Sequence, residues 1–195
     1  MARPRSYDPH TALDRVQKTF WEKGYHGTSL QDLEKATDLK KQSLYREFGN
    51  KDALYHKALA LYQDREIAAL ANAMLAPSDA LTRFSKLFEL VLQPVYDGDR
   101  SGCFLCNAAL DRAQEDSETN KRTQDGITQT TQLFETALRV SSPYKDDKAL
   151  LRSRALEFTA GYFGLRVMIR GGLPIATLKA TVEALLDQIK TDSAG

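Results

Sequence analysis

Between Thr28 and Lys51 the apolar positions fall into two short helical registers. Leu30, Leu33 and Ala36 repeat at helical spacing after a Thr-Ser pair, and Leu39, Leu44 and Phe48 do so after Asp38. Two small apolar faces set at an angle make a helix-turn-helix, whose second helix has the form that enters a DNA major groove. Thr28-x-x-Gln31 and Ser29-x-x-Asp32 both have capping-box spacing, so either residue can open the first of the pair. Asp38 stands at the turn, where a left-handed backbone is expected and Asp tolerates it better than most side chains. Upstream, Asp8 and Pro9 form a helix entry, Leu13, Val16 and Phe20 share one face with Trp21 on its flank, and Gly24 is expected to end the helix. Residues 1–56 thus read as a three-helix head.

Helical periodicity continues to the end of the chain. A long helix is expected from Lys51 to about Met74, another from Asp79 to about Val95, and a compact apolar one from Cys103 to Leu110. Asp116-Ser117 opens a further helix that Ser141-Ser142-Pro143 stops. Its early part, rich in Thr, Gln, Lys and Glu, is expected to be substantially exposed. Asp146 to Arg170 ends at Gly171-Gly172, and Pro174 starts the last helix. No stretch alternates apolar and polar residues for long, so the fold class is all-α, with residues 57–195 as a helical body behind the head.

Charge changes the picture locally rather than globally. The 195 residues carry 27 basic and 26 acidic side chains, a net charge of +1. Between Lys35 and Lys51, however, five basic residues face only Asp38 and Glu47, and Arg3 and Arg5 make the N-terminus a basic arm suited to phosphates. Lys40, Lys41, Gln42, Ser43, Tyr45, Arg46 and Lys51 supply donors on and after the second helix of the pair, a mix that suits phosphates and base edges. Gln42 and Lys41 are the expected base readers, Gln matching adenine and Lys the guanine acceptors. Lys51 begins a helix whose N-terminus also favours a phosphate.

Other chemistries are sparse. Two cysteines make no disulfide scaffold, no N-terminal segment has a signal-peptide pattern, and no apolar run approaches the ~20 residues of a membrane span, so a cytoplasmic protein with no membrane partner is expected. His10, His26 and His56 are scattered and suggest no metal site. No nucleophile-base pair, paired acids or cofactor motif is present, which argues against an enzyme.

The run Gly24-Tyr25-x-x-Thr28-Ser29-Leu30-x-Asp32-Leu33-x-x-Ala36, followed by Leu39-x-Lys41-x-Ser43-Leu44-Tyr45-x-x-Phe48-x-x-Lys51-Asp52-x-Leu54, resembles the DNA-binding domain of the TetR family of bacterial regulators. The resemblance covers roughly residues 7 to 60. It implies a duplex operator as partner, contacted from Thr28, Lys40, Lys41, Gln42, Ser43, Tyr45, Arg46 and Lys51, with Tyr45 matching a tyrosine that commonly meets a phosphate. It also implies a C-terminal ligand-binding and dimerisation domain, with the last two helices pairing with their symmetry mates. A homodimer follows as well from the need to place two recognition helices on adjacent half-sites. Three positions depart from the family pattern. Asp38 and Gln42 stand where Gly is common, and Lys40 stands where a Ser commonly caps the recognition helix, a cap typically worth about 1 kcal/mol.

The resemblance further implies a small-molecule effector, whose identity the sequence does not reveal, held among the body helices. Phe88, Phe134, Phe158 and Tyr162 are aromatic candidates for its cavity, although an aromatic stripe at helical spacing also serves as plain core. Asn107, Asp111, Thr130 and Arg166 are polar residues on otherwise apolar faces. Cys103 and Cys106 admit three readings: small buried core residues, a redox or electrophile sensor whose first thiol is activated at a helix start, or half of a metal site that lacks its other ligands. Some members of the resembled family respond to oxidants or electrophiles through cysteine. The expectation is therefore a transcriptional repressor released by an effector or by cysteine modification. The other reading is a DNA-tethered adaptor that binds another protein through its body.

Overall fold

The structure, a computed structural model, describes residues 7–194. Arg3 and Arg5 of the expected basic arm lie outside the described residues. Among those described there are helices and no strands: α1 (Pro9–Gly27), α2 (Leu30–Thr37), α3 (Lys41–Phe48), α4 (Lys51–Met74), α5 (Ala80–Tyr96), α6 (Phe104–Asp111), α7 (Ser117–Leu138), α8 (Lys148–Arg170) and α9 (Ile175–Ala194). None of the described helices is long and apolar enough to cross a membrane.

Most helix starts are written into the residue that precedes them. Asp8, Asn50, Asp79, Asp116 and Asp147 each accept first-turn backbone N–H groups of the helix they open, satisfying donors that the helix itself leaves unpaired. Ser29, not Thr28, opens α2, and its hydroxyl and the Asp32 carboxylate close a full capping box. Asp38 takes the expected left-handed conformation at φ 58°. The first helix does not stop at Gly24. It kinks there, at φ 73° and ψ 175°, and continues one more turn to Gly27. Between α3 and α4 the chain turns through Gly49 at φ 95° and ψ −155°, a region closed to residues with a Cβ.

The helices build two apolar cores, and α4 serves both. One gathers Val16, Phe20, Leu33, Leu44, Phe48, Leu54 and Tyr55 of the head together with Cys103, Phe104, Leu105 and Ala108 of α6. The other gathers Leu70 and Met74 at the far end of α4 with Phe84, Phe88, Phe134, Phe158, Tyr162 and Leu178. Residue 56, where the sequence puts the edge of the head, falls inside α4. The packing of α6 against the head has a direct cause in its aromatic neighbours: Phe104 meets Tyr55 and Tyr62 edge-on at centroid distances of 5.6 and 5.7 Å.

The early part of α7 is substantially exposed, at Ser117, Glu118, Lys121, Gln124, Asp125 and Gln129 among others, but one face of it is buried. Thr119, Thr123, Gly126 and Thr130 are buried, one stripe at four-three-four spacing. Small side chains let α7 lie close to α4 and α6, and a Cβ on Gly126 would collide with the Leu105 side chain. The Thr130 hydroxyl returns to the Gly126 carbonyl at 2.9 Å and that of Thr123 to Asn120 at 2.8 Å, so their burial leaves neither donor unmet. Thr is polar, yet the Thr123 and Thr130 hydroxyls are satisfied within the helix's own turns, which lets this face pack inward. Gly161 of α8 likewise permits the close approach of Leu185 of α9, whereas Leu156, Ala160, Gly164 and Val167 leave an outward stripe of small and apolar residues on α8.

Gly49→Ala should destabilise the protein by about 1–3 kcal/mol, since its backbone region excludes a side chain and the new Cβ would lie 2.8 Å from that of Ala53. Chemical denaturation followed by circular dichroism measures this, and an unchanged midpoint would mean that the turn relaxes freely.

Candidate DNA-binding surface and sensor cluster

The candidate recognition surface is α3 and its flanks. Leu44 and Phe48 turn inward, which leaves Lys40, Lys41, Gln42 and Arg46 exposed and Ser43 and Tyr45 half-buried. Lys40 precedes the helix and makes no side-chain cap, as its sequence implies. The lost cap is replaced from the neighbouring helix: the Glu34 carboxylate of α2 accepts the Lys41 backbone N–H at 2.7 Å. An acid at a helix N-terminus also complements the helix dipole. This contact fixes the start of α3 against α2, and it was not visible in sequence because the two residues belong to different elements.

Two predicted contact residues are placed differently from the rest. Thr28 is only 1% exposed, and its hydroxyl donates to the Gly24 carbonyl at 2.6 Å, locking the chain where α1 ends. Lys51 holds its ammonium 4.3 Å from the centre of the Tyr25 ring, where burial beside the Arg112 charge lowers its pKa. The Lys41 ammonium sits 5.4 Å from the centre of the Tyr45 ring, so these two residues form one patch.

Behind the head, α6 and the start of α7 grip α1 and α4. The kink at Gly24 frees the Tyr25 backbone N–H, and the Asp111 carboxylate accepts it at 2.7 Å. The Arg112 guanidinium lies 3.6 Å from the centre of the Tyr25 ring and pairs with Asp52, which also accepts the Tyr25 hydroxyl at 2.6 Å. His56 lies between Asp116 at 2.9 Å and Glu118 at 3.2 Å, one carboxylate at each ring nitrogen. On the far side, the Trp21 indole donates to the Ser101 carbonyl at 3.1 Å and Arg170 donates to the Glu22 carbonyl at 2.9 Å. Asp111, a candidate effector residue in the sequence, here holds Tyr25. Arg112 carries no periodic signal in the sequence, and Asp52 and Asp116 were legible there only as a motif position and a helix start.

Four of the predicted effector residues do come together. Cys103, fully buried, precedes α6, and Cys106 stands half-buried one turn in. Arg166 pairs with Glu66 and donates to the Tyr162 hydroxyl at 2.7 Å, while Tyr162 donates to Glu66 at 2.6 Å. Burial alone would raise the Cys103 thiol pKa. The neighbouring Cys106 thiol, the Tyr62 hydroxyl and the first backbone N–H groups of α6 outweigh it and lower the pKa. Cys106 is raised, because it is the donor to Cys103 and is itself buried. Asn107 donates to the Ser101 carbonyl at 3.3 Å.

The aromatic candidates are placed elsewhere. Phe88, Phe134 and Phe158 are fully buried, Phe158 lying 6.3 Å from Phe88 and Phe134 5.7 Å from Tyr162 between ring centres. These rings pack on one another in the distal core. The apolar opening lies instead beside the cysteines, a cleft of about 210 Å³ whose lining includes Cys106, Leu110, Ile127, Phe163 and Val167.

The described residues form a helix-turn-helix head with an exposed cationic α3, carried on a helical body. Residues 13–58 match the sequence pattern of the bacterial regulatory proteins of the tetR family. The head of this chain is thus similar to the DNA-binding domain of that family. It is 31% identical over 119 residues to the uncharacterised HTH-type regulator YezE of Bacillus subtilis (strain 168), covering 60% of this chain and 61% of that one. To the HTH-type transcriptional repressor ComR of Escherichia coli (strain K12) it is 35% identical over 107 residues, 54% of this chain and 51% of ComR. The chain thus spans between half and three fifths of the length of these curated relatives. Over nearly the whole fold it is similar to a cysteine mutant of the TetR-family regulator CifR complexed with a 26-bp operator, at 28% identity and a TM-score of 0.84, covering 95% of this chain and 98% of that one.

The junction should weaken in acid. The Tyr25 hydrogen bond and the nearby Arg112 charge hold Asp52 below the usual carboxylate range, and Asp116 is also lowered, its hydrogen bonds to Thr119 and His56 outweighing burial. A depressed folded-state pKa stabilises above the unfolded value, about 4, and that stabilisation is lost as pH falls through the folded value. Asp52→Asn should therefore lower the denaturation midpoint at pH 7 and flatten its fall below pH 4. Trp21 fluorescence across an acid titration reads both; an identical acid limb in the variant would exclude Asp52 from the linkage.

Proposed function

We propose that this chain is a sequence-specific DNA-binding repressor that acts as a homodimer and is released from its operator by modification of the Cys103–Cys106 pair or by an effector bound beside it. The observation that carries the reading is the packing of α6: the helix that bears both thiols belongs to the apolar core of the DNA-binding head. A change at the cysteines needs no long relay to reach the recognition helix. Phe104 contacts Tyr55, Tyr55 contacts Phe20 at 5.1 Å, and the C-terminal end of α6 holds Tyr25.

Support for the DNA-binding part comes from the exposed donors on α3 and from the likeness to ComR, named a repressor, and to CifR, whose structure contains operator DNA. In this reading Tyr45, Arg46 and Lys51 meet phosphates, and Lys41 and Gln42 read bases. The outward stripe of Leu156, Ala160, Gly164 and Val167 on α8 is the surface offered to a second copy. Two-fold pairing would set the two α3 helices about 34 Å apart, one DNA turn.

For the sensing part, the thiols occupy complementary positions. Cys103 is the more acidic but is buried; Cys106 is the one that lines the apolar cleft. Hydrogen peroxide reaching Cys106 would take two electrons from the pair, joining the sulfurs as a disulfide and leaving as two waters with the thiol protons. An apolar effector would occupy the same cleft without bond formation. Either event favours an α6 position that no longer fits Tyr25 and Tyr55. A preference of a few kcal/mol for the displaced state suffices to release DNA.

The first test is binding to the chain's own upstream promoter DNA, with and without diamide, followed by thiol reductant. Loss of binding on oxidation and recovery on reduction is expected, and Cys106→Ser should abolish the response while keeping reduced-state affinity. Binding indifferent to oxidant would remove the thiol pair from the mechanism and leave the cleft to a non-covalent ligand.

Contacts on α3 separate in a second experiment. Tyr45→Ala should weaken binding to all duplexes alike, whereas Gln42→Ala should cost about 1–3 kcal/mol at particular base pairs only. Competition against single-base operator variants distinguishes them, and unchanged affinity of Tyr45→Ala at physiological salt would displace α3 from the groove.

A further inference from the structure

At the end of the body far from the head, a second cleft has a composition unlike the rest of the surface. It is about 400 Å³ in volume and is lined by Glu135 and Arg139 at the end of α7, Tyr144 and Lys145 in the following turn, and Lys148, Leu151 and Arg152 at the start of α8. That size falls within the range of small-molecule sites. Four cations face one carboxylate on a chain whose net charge is only +1. Glu135 is taken up by Arg152, and Lys145 lies 4.0 Å from the exposed Asp146. The side chains of Arg139 and Lys148 have no hydrogen-bond or ion-pair partner among the described residues. Asp147, the remaining acid nearby, is spent on the backbone N–H groups of Ala149 and Leu150.

The floor is held still. Leu151 is buried, and Tyr144 is fully buried with its hydroxyl donating to Asp192 at 2.7 Å, so the turn that carries Lys145 is anchored to α9. A concave site lined by one sign of charge concentrates counter-ions, and guanidinium groups match phosphate oxygens in a fork. Distance separates this cleft from the operator surface. It lies at the opposite end of the 22-residue α7 from the His56–Asp116 contact with the head, and a helix of that length spans about 33 Å.

We propose that this distal cleft binds a small organic polyphosphate, with Arg139, Lys145, Lys148 and Arg152 gripping a diphosphate group. The site is independent of the thiol pair and of the repressor reading. Inorganic pyrophosphate is the probe, titrated calorimetrically into the whole protein, with citrate as a polycarboxylate of similar charge. One pyrophosphate per chain is expected, with a dissociation constant below about 1 mM and weaker binding at high salt. The Arg139→Ala/Lys148→Ala double variant, which breaks no contact seen in the structure, should keep its thermal midpoint and lose at least about tenfold in affinity. Lys40→Ala/Lys41→Ala, on the head, should bind as the parent does. No binding, undiminished binding in the distal variant, or loss in the head variant would overturn the site, and citrate binding as tightly as pyrophosphate would overturn the phosphate assignment.

Discussion

The kink of α1 at Gly24 is the constraint on which the rest depends. By taking a positive φ there, the chain frees the Tyr25 N–H from the helical ladder and presents it to Asp111, while Tyr25 itself points its ring at Arg112 and Lys51 and its hydroxyl at Asp52. Three helices meet around one residue: the end of α1, the start of α4 and the end of α6. A side chain at position 24 would be strained by its backbone angle and would press on the Asp111 carboxylate. The recognition helix is therefore oriented by a joint made partly from the body.

That joint is built from charged groups arranged so that each is met. Arg112 is opposed by Asp52 and Asp116, and both ring nitrogens of His56 face carboxylates. Half-buried ion pairs of this kind add specificity of docking more than net stability, because desolvation offsets much of the attraction. The apolar contribution lies next to them, in the edge-on packing of Tyr55, Phe104 and Phe20. Such a joint is suited to switching. It favours one orientation through directional contacts, yet the helix that completes it, α6, is only eight residues long and carries the two thiols.

Much of the backbone plan was legible. Asp8-Pro9, the Ser29-Asp32 box and Asp116-Ser117 each announce a helix start through a local hydrogen bond, and Asp38 announces the turn. Local chemistry acting over three or four residues is what periodicity and capping rules detect. What was not legible has a common origin. Thr119 and Thr123 lie in a stretch read by its polarity and are buried by packing; Asp111 and Arg166, candidate effector residues, are also partners of Tyr25 and Glu66. In both cases the deciding neighbour lies far away in sequence.

The amino-acid sequence alone therefore determined that the chain is all helical, where its helices begin, and that a cationic helix-turn-helix leads it, because these depend on side chains meeting backbone within a turn or on charge crowded into a few residues. Only the tertiary structure decided that α6 belongs to the head's core, that Glu34 supplies the cap Lys40 does not, and that Phe88, Phe134 and Phe158 fill a core while the opening lies beside Cys106. Those outcomes turn on which surfaces of nonadjacent helices are pressed together, and burial energy depends on the summed fit of all of them.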